Sequence, residues 1–233
     1  MLLMNRHQKD QFVRQFGSLS LYQVGRENLP EFSKFVFDIY KKHYWKKYQW
    51  MPSAKELLEM QQSDASQFKN SVYFGFKNAN QELLGTIKAT QKVGNLRFPI
   101  EYEFGIDLKT ICEKRGEPVH EIWHLGRLAI HSESLLRQGA SLSSKQLFRL
   151  LLHYSLTCTN KSIHNLVIAE SDVLIYQLFK DIGISMEIVG DVKNCLGSPT
   201  YPVIMTGKVI RNWLEANPVE KLIHQEAYAC ARN

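Results

Sequence analysis

The stretch HEIWHLGRLAIH, residues 120–131, decides how this chain folds. It contains the His-Glu-x-x-His spacing, beginning at His120, with which a helix presents two zinc ligands on one face. Pro118 precedes the stretch and Gly126 lies within it, and a glycine in a helix interior costs about 1 kcal/mol relative to alanine. The local sequence therefore predicts a strand.

Read with a period of two, this strand has two largely apolar faces, as expected for a strand packed on both sides. In a strand, His120 and His124 are about 13 Å apart, which is too far for both to bind one zinc ion. The sequence therefore predicts no metal site here. One face is predicted to carry His120, Ile122, His124, Gly126, Leu128 and Ile130, and the other Glu121, Trp123, Leu125, Arg127, Ala129 and His131.

The composition predicts one globular domain over residues 1–233, with a core at about 18–210 and a C-terminal helical tail at 211–233. The chain is 44% hydrophobic, which is enough for a real core. No apolar run approaches the roughly 18 residues of a membrane span, and no cleavable N-terminal signal is recognisable. Four scattered cysteines without a C-x-x-C pair fit reduced thiols, so we expect a cytoplasmic protein.

The net charge of +6 is compatible with an acidic partner or a phosphate-bearing ligand. Residues 40–50 mix lysines with aromatic side chains, which is one pattern of a nucleic-acid surface. We favour an amphipathic helix, so no stable nucleic-acid partner is predicted. Trp45 and its aromatic neighbours are candidates to cover an apolar pocket. The helical spacing is carried by Phe32, Phe35, Val36, Ile39 and His43.

The remaining chain predicts an alternation of strands and helices, in the order β-α-α-β-β-(α)-β-α-β-α-β-β. Ser53 and Ser143 or Ser144 are the expected N-caps of two of the helices. The predicted strands cover 19–24, 72–76, 83–93, 120–131, 166–169, 185–189 and 203–209, and the helices 30–44, a segment after 53, 108–114, 143–158 and 172–181.

This order resembles the GNAT N-acyltransferase fold. The pair EIWHLGRLAIHSE (121–133) and SSKQLFRLLLHYSL (143–156) is similar to the fourth strand and third helix of that fold. The nearest resemblance is to acyl-homoserine-lactone synthases and long-chain N-acyl amino acid synthases. It implies an α/β fold with a mixed, mostly antiparallel central sheet of about seven strands, flanked by helices and splayed between strands four and five.

The resemblance implies an N-acyltransferase that moves an acyl group from a pantetheine thioester, on coenzyme A or on an acyl carrier protein, to the primary amine of an amino acid or similar small molecule. It implies no metal. Two alternatives stay open: an ordinary acetyl-CoA-dependent N-acetyltransferase, and a non-catalytic module that binds nucleic acid or an acyl ligand. The resemblance does not specify the oligomeric state.

Two short motifs carry the resemblance to these synthases. Their Glu-x-x-Arg pattern on strand four is similar to His124–Arg127, and their Gly-x-x-Arg on the preceding strand is similar to Gly85–Lys88. Lys88 and Arg127, at the matching positions, would bind a substrate carboxylate or orient the strand. Trp45, from the aromatic stretch at 40–50, is the third candidate to contact the substrate. The alternative is that the two cations balance a buried acid such as Glu103 or Glu170.

The donor-binding residues implied by the resemblance lie after the motif. The backbone of Leu128, Ala129 and Ile130 would bond to the pantetheine arm as an added strand does. The turn that holds pyrophosphate in acetyl-CoA-using relatives fits poorly here, because its glycine is displaced by one residue. It is either that turn or only the polar start of a helix, and a weak turn is compatible with a carrier-protein donor. Its residues are Arg137, Gln138, Gly139, Ala140 and Ser141.

The catalytic candidates depart from the family pattern. His124 stands where many relatives have a glutamate that deprotonates the amine; it is either that base or a half-buried structural histidine. Glu121 and Glu170 are the next candidates. Phe179 stands where acetyltransferases have a tyrosine that protonates the leaving thiolate, so either Tyr176 replaces it or the thiolate leaves unaided. These departures favour a long-chain donor over acetyl-CoA.

Overall fold

The structure, a computed structural model, describes residues 7–224. Its centre is a nine-stranded, mostly antiparallel sheet with the order β1-β2-β3-β4-β5-β6-β9-β7, in which β8 also pairs with β9. The strands are β1 (Gln11–Phe16), β2 (Leu19–Gln23), β3 (Ser71–Lys77), β4 (Leu83–Gln91), β5 (Ile122–Ile130), β6 (Leu166–Asp172), β7 (Glu187–Ile188), β8 (Lys193–Cys195) and β9 (Ser198–Thr206).

Helices cover both faces of this sheet. One face is covered by the helices that follow β5 in the chain, and the other by those that precede it. Ser53 and Ser143 each form a capping box at the start of a helix, as the sequence predicts. The helices are α1 (Leu29–Tyr48), α2 (Ala54–Gln67), α3 (Pro99–Tyr102), α4 (Leu108–Lys114), α5 (Ser132–Arg137), α6 (Ser144–Thr159), α7 (Val173–Asp181), α8 (Gly207–Ala216) and α9 (Val219–His224).

Strands β5 and β6 form a parallel pair inside the otherwise antiparallel sheet. Their pairing runs from Ile122 opposite Leu166 to His124 opposite Ile168 and then ends. Both strands continue beyond that point, β5 along β4 and β6 along β9. The two strands therefore part, which confirms the predicted mixed sheet that splays at this position.

A β-bulge interrupts β5 just after the strands part. Gly126 pairs with Lys88 and Ala129 pairs with Thr86, so two residues of β5 oppose one residue of β4. One of the two, Arg127, has φ 56°, a left-handed conformation that is uncommon for a non-glycine residue.

The bulge corrects the predicted faces of this strand. Because side chains alternate with a period of two, one extra residue moves every later side chain to the opposite face. Leu128 and Ile130 consequently pack with Trp123 and Leu125 in the cluster under α6, not on the face of His124. Ala129 packs on the opposite side, in the cluster under α1.

Several predicted boundaries are also wrong. The sequence predicts a last strand at 203–209, but β9 begins at Ser198, and Thr206 caps helix α8 by accepting from the backbone N–H of Val209. Strands β1 and β8 and helix α5 were not predicted. Of the predicted tail at 211–233, residues 225–233 lie outside the described residues. No helix within 7–224 has the length and apolarity needed to cross a membrane.

Candidate active site

A cavity of about 560 Å³ lies where β5 and β6 part. It reaches both faces of the sheet, because the gap between the strands is open on either side. Its walls come from α1, the second half of β5, the end of β6, the start of α6, and α7. The lining includes Ile39, Tyr40, His43, Tyr44, Gly126, Leu128, Ala129, Ile130, Ser132, Ser144, Lys145, Phe148, Glu170, Asp172, Leu178, Phe179, Ile182 and Met186.

His124 and Glu170 form a hydrogen-bonded pair at the vertex of the gap. Their Nε2 and Oε2 atoms are 2.8 Å apart, and the other carboxylate oxygen of Glu170 accepts the backbone N–H of Ile100 at 2.7 Å. The imidazole stacks on Phe98 with a centroid distance of 4.6 Å. These contacts fix both side chains, and Glu170 itself lines the cavity.

Glu170 is held in its ionised form. Burial alone would raise the pKa of this carboxyl group, but the charge and hydrogen bond of His124 and the N–H of Ile100 outweigh it and lower the pKa. An ionised carboxylate on Nε2 means that neutral His124 carries its proton there. The lone pair of the imidazole is then on Nδ1.

Gly126 leaves open the space beside that nitrogen. A Cβ added to Gly126 would lie 3.1 Å from Cε1 of His124 and 3.6 Å from Nδ1. Gly126 also lines the cavity. The absence of a side chain at this position therefore leaves room along the Cε1–Nδ1 edge of the imidazole. His124 does not itself line the cavity, whereas its partner Glu170 and its neighbour Gly126 do.

A second hydrogen bond joins α1 to the end of β6. The hydroxyl of Tyr44 donates to Oδ2 of Asp172 at 2.7 Å, and Oδ1 of Asp172 accepts the N–H of Ile175 as the N-cap of α7. Burial and the charge of Asp172 raise the pKa of Tyr44, so this hydroxyl stays protonated. Asp172 thus links the two helices on either side of the cavity.

The wall formed by α6 and α7 is largely apolar beyond Ser144 and Lys145 at the start of α6. Phe179 is 3% exposed and packs edge-to-face on Phe148, with ring centroids 5.8 Å apart. Leu178, Ile182 and Met186 continue this wall. A hydrocarbon chain placed here would be removed from water, which is favourable by about 0.8 kcal/mol for each buried methylene.

Lys88 and Arg127 are bound to a buried acid, which is Asp64 on α2 rather than Glu103 or Glu170. Nζ of Lys88 is 2.8 Å from Oδ1 of Asp64, and Nε of Arg127 is 3.2 Å from each of the two carboxylate oxygens. The side chain of Asp64 is fully buried and that of Lys88 is 4% exposed. Neither cation lines the cavity.

The charges of Asp64, Lys88 and Arg127 compensate one another within this buried cluster. Burial opposes the ionisation of Asp64, but Arg127 and Lys88 outweigh it and lower the pKa of its carboxyl group. Burial lowers the pKa of Lys88 to about 8, even though Asp64 acts in the opposite direction. Ser33 adds a hydrogen bond to Asp64 at 2.8 Å.

Three other predicted site residues lie outside the cavity lining. Glu121 accepts from the indole N–H of Trp123 at 2.9 Å, near the start of β5. Tyr176 is on α7, where its ring packs on Tyr201 at 5.2 Å. Trp45 is 49% exposed on α1. Their assignment to catalysis or substrate binding stays a prediction.

The predicted pyrophosphate turn, residues 137–141, also lies outside the lining. Arg137 ends α5 and bonds to Ser134, the amide of Gln138 accepts from Asn78, and Ser141 bonds to Phe16. Gly139 has φ 57° and Ala140 follows it. Ser144 and Lys145, at the start of α6, line the cavity instead.

The two histidines of the His-Glu-x-x-His pattern have different partners. His120 precedes β5 and lies 3.0 Å from the hydroxyl of Ser162, whereas His124 bonds to Glu170. Within residues 7–224 no group of three His, Cys, Asp or Glu side chains is arranged to hold a metal ion.

Sequence reasoning missed Tyr40, Tyr44, Asp172 and Asp64 as site or cluster residues. The tyrosines are part of the predicted amphipathic helix, and nothing local shows that they face a gap between strands 80 or more positions away. Asp172 carried one usable signal, because an aspartate directly before an apolar helix is a typical N-cap.

Comparisons with known proteins agree on the fold. No family model and no curated protein matches the sequence. Among solved structures, FeeM, an N-acyl amino acid synthase from uncultured soil microbes, aligns with a TM-score of 0.53 and 15% identity over 88% of this chain and 96% of its own.

Two further solved structures are similar. BjaI, a CoA-dependent acyl-homoserine lactone synthase in a structure with SAM and isopentyl-CoA, gives a TM-score of 0.52 and 14% identity over 86% of this chain and 82% of its own. A GNAT-family acetyltransferase from Staphylococcus aureus Mu50 gives 0.51 and 10% identity over 81% and 98%. The chain therefore has the fold that these N-acyltransferases share, as its resemblance to them predicts.

Proposed function

We propose that this protein is an N-acyltransferase that moves an acyl group from a pantetheine thioester to a primary amine. The observation that carries the proposal is the gap between β5 and β6 beside a lined cavity. Past His124, the edge of β5 that faces β6 has no strand partner within 7–224. The backbone of Leu128 to Ile130 can therefore bond to a pantetheine arm as to an added strand.

The donor we propose carries a long acyl chain. The apolar wall of α6 and α7 supports this, because it offers hydrocarbon contacts that an acetyl group would leave unused. Phe179 contributes a ring to this wall. A donor on an acyl carrier protein rather than on coenzyme A is the finer proposal. Lys145 at the cavity supports it, since an acidic carrier would find a cation there.

We propose His124 as the base that deprotonates the attacking amine. A free α-amine has a pKa of about 7.7–8.0 and attacks only in its neutral form. With Nε2 bound to Glu170, the Nδ1 lone pair beside Gly126 is the atom that accepts the proton. Glu170 then stabilises the imidazolium that forms, as an orienting carboxylate does for other catalytic histidines.

The acceptor we propose is an amino acid or a similar small amine. Arg127 supports this proposal better than Lys88 does, because it bonds to Asp64 through Nε alone and its side chain is 24% exposed, although it does not line the cavity. Lys88 is instead buried against Asp64 and Gln67. We place the reaction in the cytoplasm, where the free thiols of the chain would stay reduced.

A thiol-release assay tests the proposal. The full chain is incubated with a long-chain acyl-CoA, the matching acyl carrier protein thioester or acetyl-CoA, each with and without a mixture of amino acids. We expect amine-dependent release of thiol with a long-chain donor, and an amide product of the corresponding mass. Absence of amine-dependent release with every donor, together with a co-purified acyl ligand, would instead favour a binding module.

A further inference from the structure

Thioester aminolysis moves two protons: a base takes one from nitrogen, and the departing sulfur gains one. When the C–S bond breaks, sulfur leaves with the bonding electron pair as a thiolate, which an acid nearby can neutralise. Phe179 has no proton to give, and Tyr176 lies outside the cavity lining. A donor is therefore required from elsewhere in the cavity wall if the thiolate does not leave unaided.

Two tyrosines of α1 line the cavity, and they differ in their bonding. The hydroxyl of Tyr44 is engaged by Asp172 at 2.7 Å. The ring of Tyr40 packs edge-to-face on Tyr44 with centroids 5.9 Å apart, and its hydroxyl makes no hydrogen bond to any residue within 7–224. Tyr40 is thus the cavity tyrosine whose hydroxyl is free to meet a ligand.

Tyr40 is also close to the strand edge that would hold the donor. It packs in the same apolar cluster as Ala129, the central residue of the Leu128–Ile130 edge. Tyr40, Gly126 and Glu170 all line the cavity, which lies at the place where β5 and β6 part.

The surroundings of Tyr40 keep its hydroxyl protonated. Burial raises the pKa of Tyr40 to about 12; Arg127 acts against this shift, while Asp172, Asp64 and Glu170 add to it. The hydroxyl is therefore neutral across the physiological range and can donate a hydrogen bond to a ligand.

We propose that Tyr40 is the catalytic acid of this acyl transfer, a role that rests on the proposed function. The neutral amine attacks the thioester carbonyl and loses a proton to His124. The C–S bond then breaks, the electron pair stays on sulfur, and the Tyr40 hydroxyl passes its proton to the thiolate as it takes one from the imidazolium or from water. No free tyrosinate accumulates, and an amide and a free thiol are the net products.

The test compares two leaving groups in Tyr40→Phe. A pantetheine thioester expels an alkyl thiolate and needs the acid, whereas an S-aryl thioester with the same acyl chain expels a much weaker base and does not. We expect turnover of the pantetheine thioester to fall about 10²-fold or more. Turnover of the aryl thioester should stay near the wild-type value. Tyr22→Phe on β2, remote from the cavity, is the matched control.

The outcomes separate this proposal from the proposed function. If the wild-type protein shows no amine-dependent release of thiol, the proposed function itself is wrong. An active wild type, with Tyr40→Phe equally impaired on both thioesters or unimpaired on both, overturns the role of Tyr40 and leaves the function standing. A loss confined to the pantetheine thioester in Tyr176→Phe rather than in Tyr40→Phe would assign the acid to α7. Circular dichroism establishes that each variant is folded.

Discussion

Two charged groups are positioned by the same face of β5, one before the bulge and one within it. His124 lies before the bulge and bonds to Glu170, which lines a cavity. Arg127, inside the bulge, joins Asp64 and Lys88 in a cluster where Asp64 is fully buried. In each group a nearby cation or imidazole keeps a carboxylate ionised. Only the first contributes a side chain to the cavity lining. We therefore predict that changes in the first group affect activity and that changes in the second affect stability.

Replacing His124 breaks the first group and has the largest expected effect. His124→Gln keeps a hydrogen-bonding side chain but cannot accept a proton from an amine. We expect turnover to fall by about 10²–10⁴-fold, with the loss present from pH 6 to pH 9. His120→Gln, which alters a histidine outside the cavity, should keep near wild-type turnover. The initial rate of thiol release measures both variants.

Near wild-type turnover in a folded His124→Gln protein would remove this histidine as the base. Glu170 or a bound water would then be the next candidate. Because the pKa of Glu170 is lowered, its direct action as a base would show as activity persisting well below neutral pH.

Replacing Asp64 breaks the second group and should act on stability instead. Asp64→Asn leaves Lys88 and Arg127 without their shared carboxylate, and breaking a buried ion pair costs about 3–5 kcal/mol. Asp38→Asn, which alters an exposed pair with Lys34, should cost at most about 1 kcal/mol. Urea unfolding of the two variants gives both free energies.

The pH dependence of the unfolding free energy provides the control for the difference in stability between these two variants. The pKa of Asp64 is lowered from 3.8, so its contribution to stability is complete above that value and is lost as the pH falls through the lower pKa of the folded state. Asp64→Asn should lack this component of acid destabilisation. An unfolding free energy equal to that of Asp38→Asn at neutral pH would contradict the structural role of the cluster.

Gly126→Ala sharpens the contrast between the two groups, because it places a methyl group beside His124 without touching Asp64. A Cβ would meet the imidazole at 3.1 Å, so the ring must shift by a few tenths of an ångström. We expect activity to fall by less than about 10²-fold, the loss that a 1 Å misplacement can cause. Stability should change little. Parallel thiol-release and unfolding measurements test this, and a large stability loss with full activity would reverse the assignment.

The smallest expected effect is that of donor chain length. Each methylene that the α6–α7 wall buries should contribute about 0.8 kcal/mol, or roughly fourfold in the specificity constant. A series of acyl donors that differ by two carbons measures the increment. Equal or better turnover with acetyl-CoA would show that the apolar wall does not bind the acyl chain.

The elements around the site could be predicted from sequence because their signals are local. The strand at 122–130, the capping boxes at Ser53 and Ser143, and the helix at 108–114 all appear as expected. The parting of the strands followed from the resemblance of the whole order of elements to a known fold.

The bulge could not be predicted, because its cause is distant. Arg127 adopts a left-handed conformation and bonds to Asp64, 63 positions earlier on α2. A strand pattern with a period of two contains no information about that distant partner. The prediction therefore placed Leu128 and Ile130 on the wrong face. The last strand was misplaced for another reason: Pro199 and Pro202 lie within β9, and prolines disfavour a strand in sequence reasoning.

Asp172 joins β6 and α7 without an intervening loop, since the strand ends at this residue and the helix begins at the next. The same carboxylate caps the helix and accepts the hydroxyl of Tyr44. One carboxylate therefore ties the C-terminal part of α1 to the first turn of α7 across 128 positions of sequence, and we expect the two to open together. Loss of the contact at the end of α1 should fray the start of α7, and the reverse. Amide hydrogen exchange at both helix ends would then rise together, and the cavity would open in a single step.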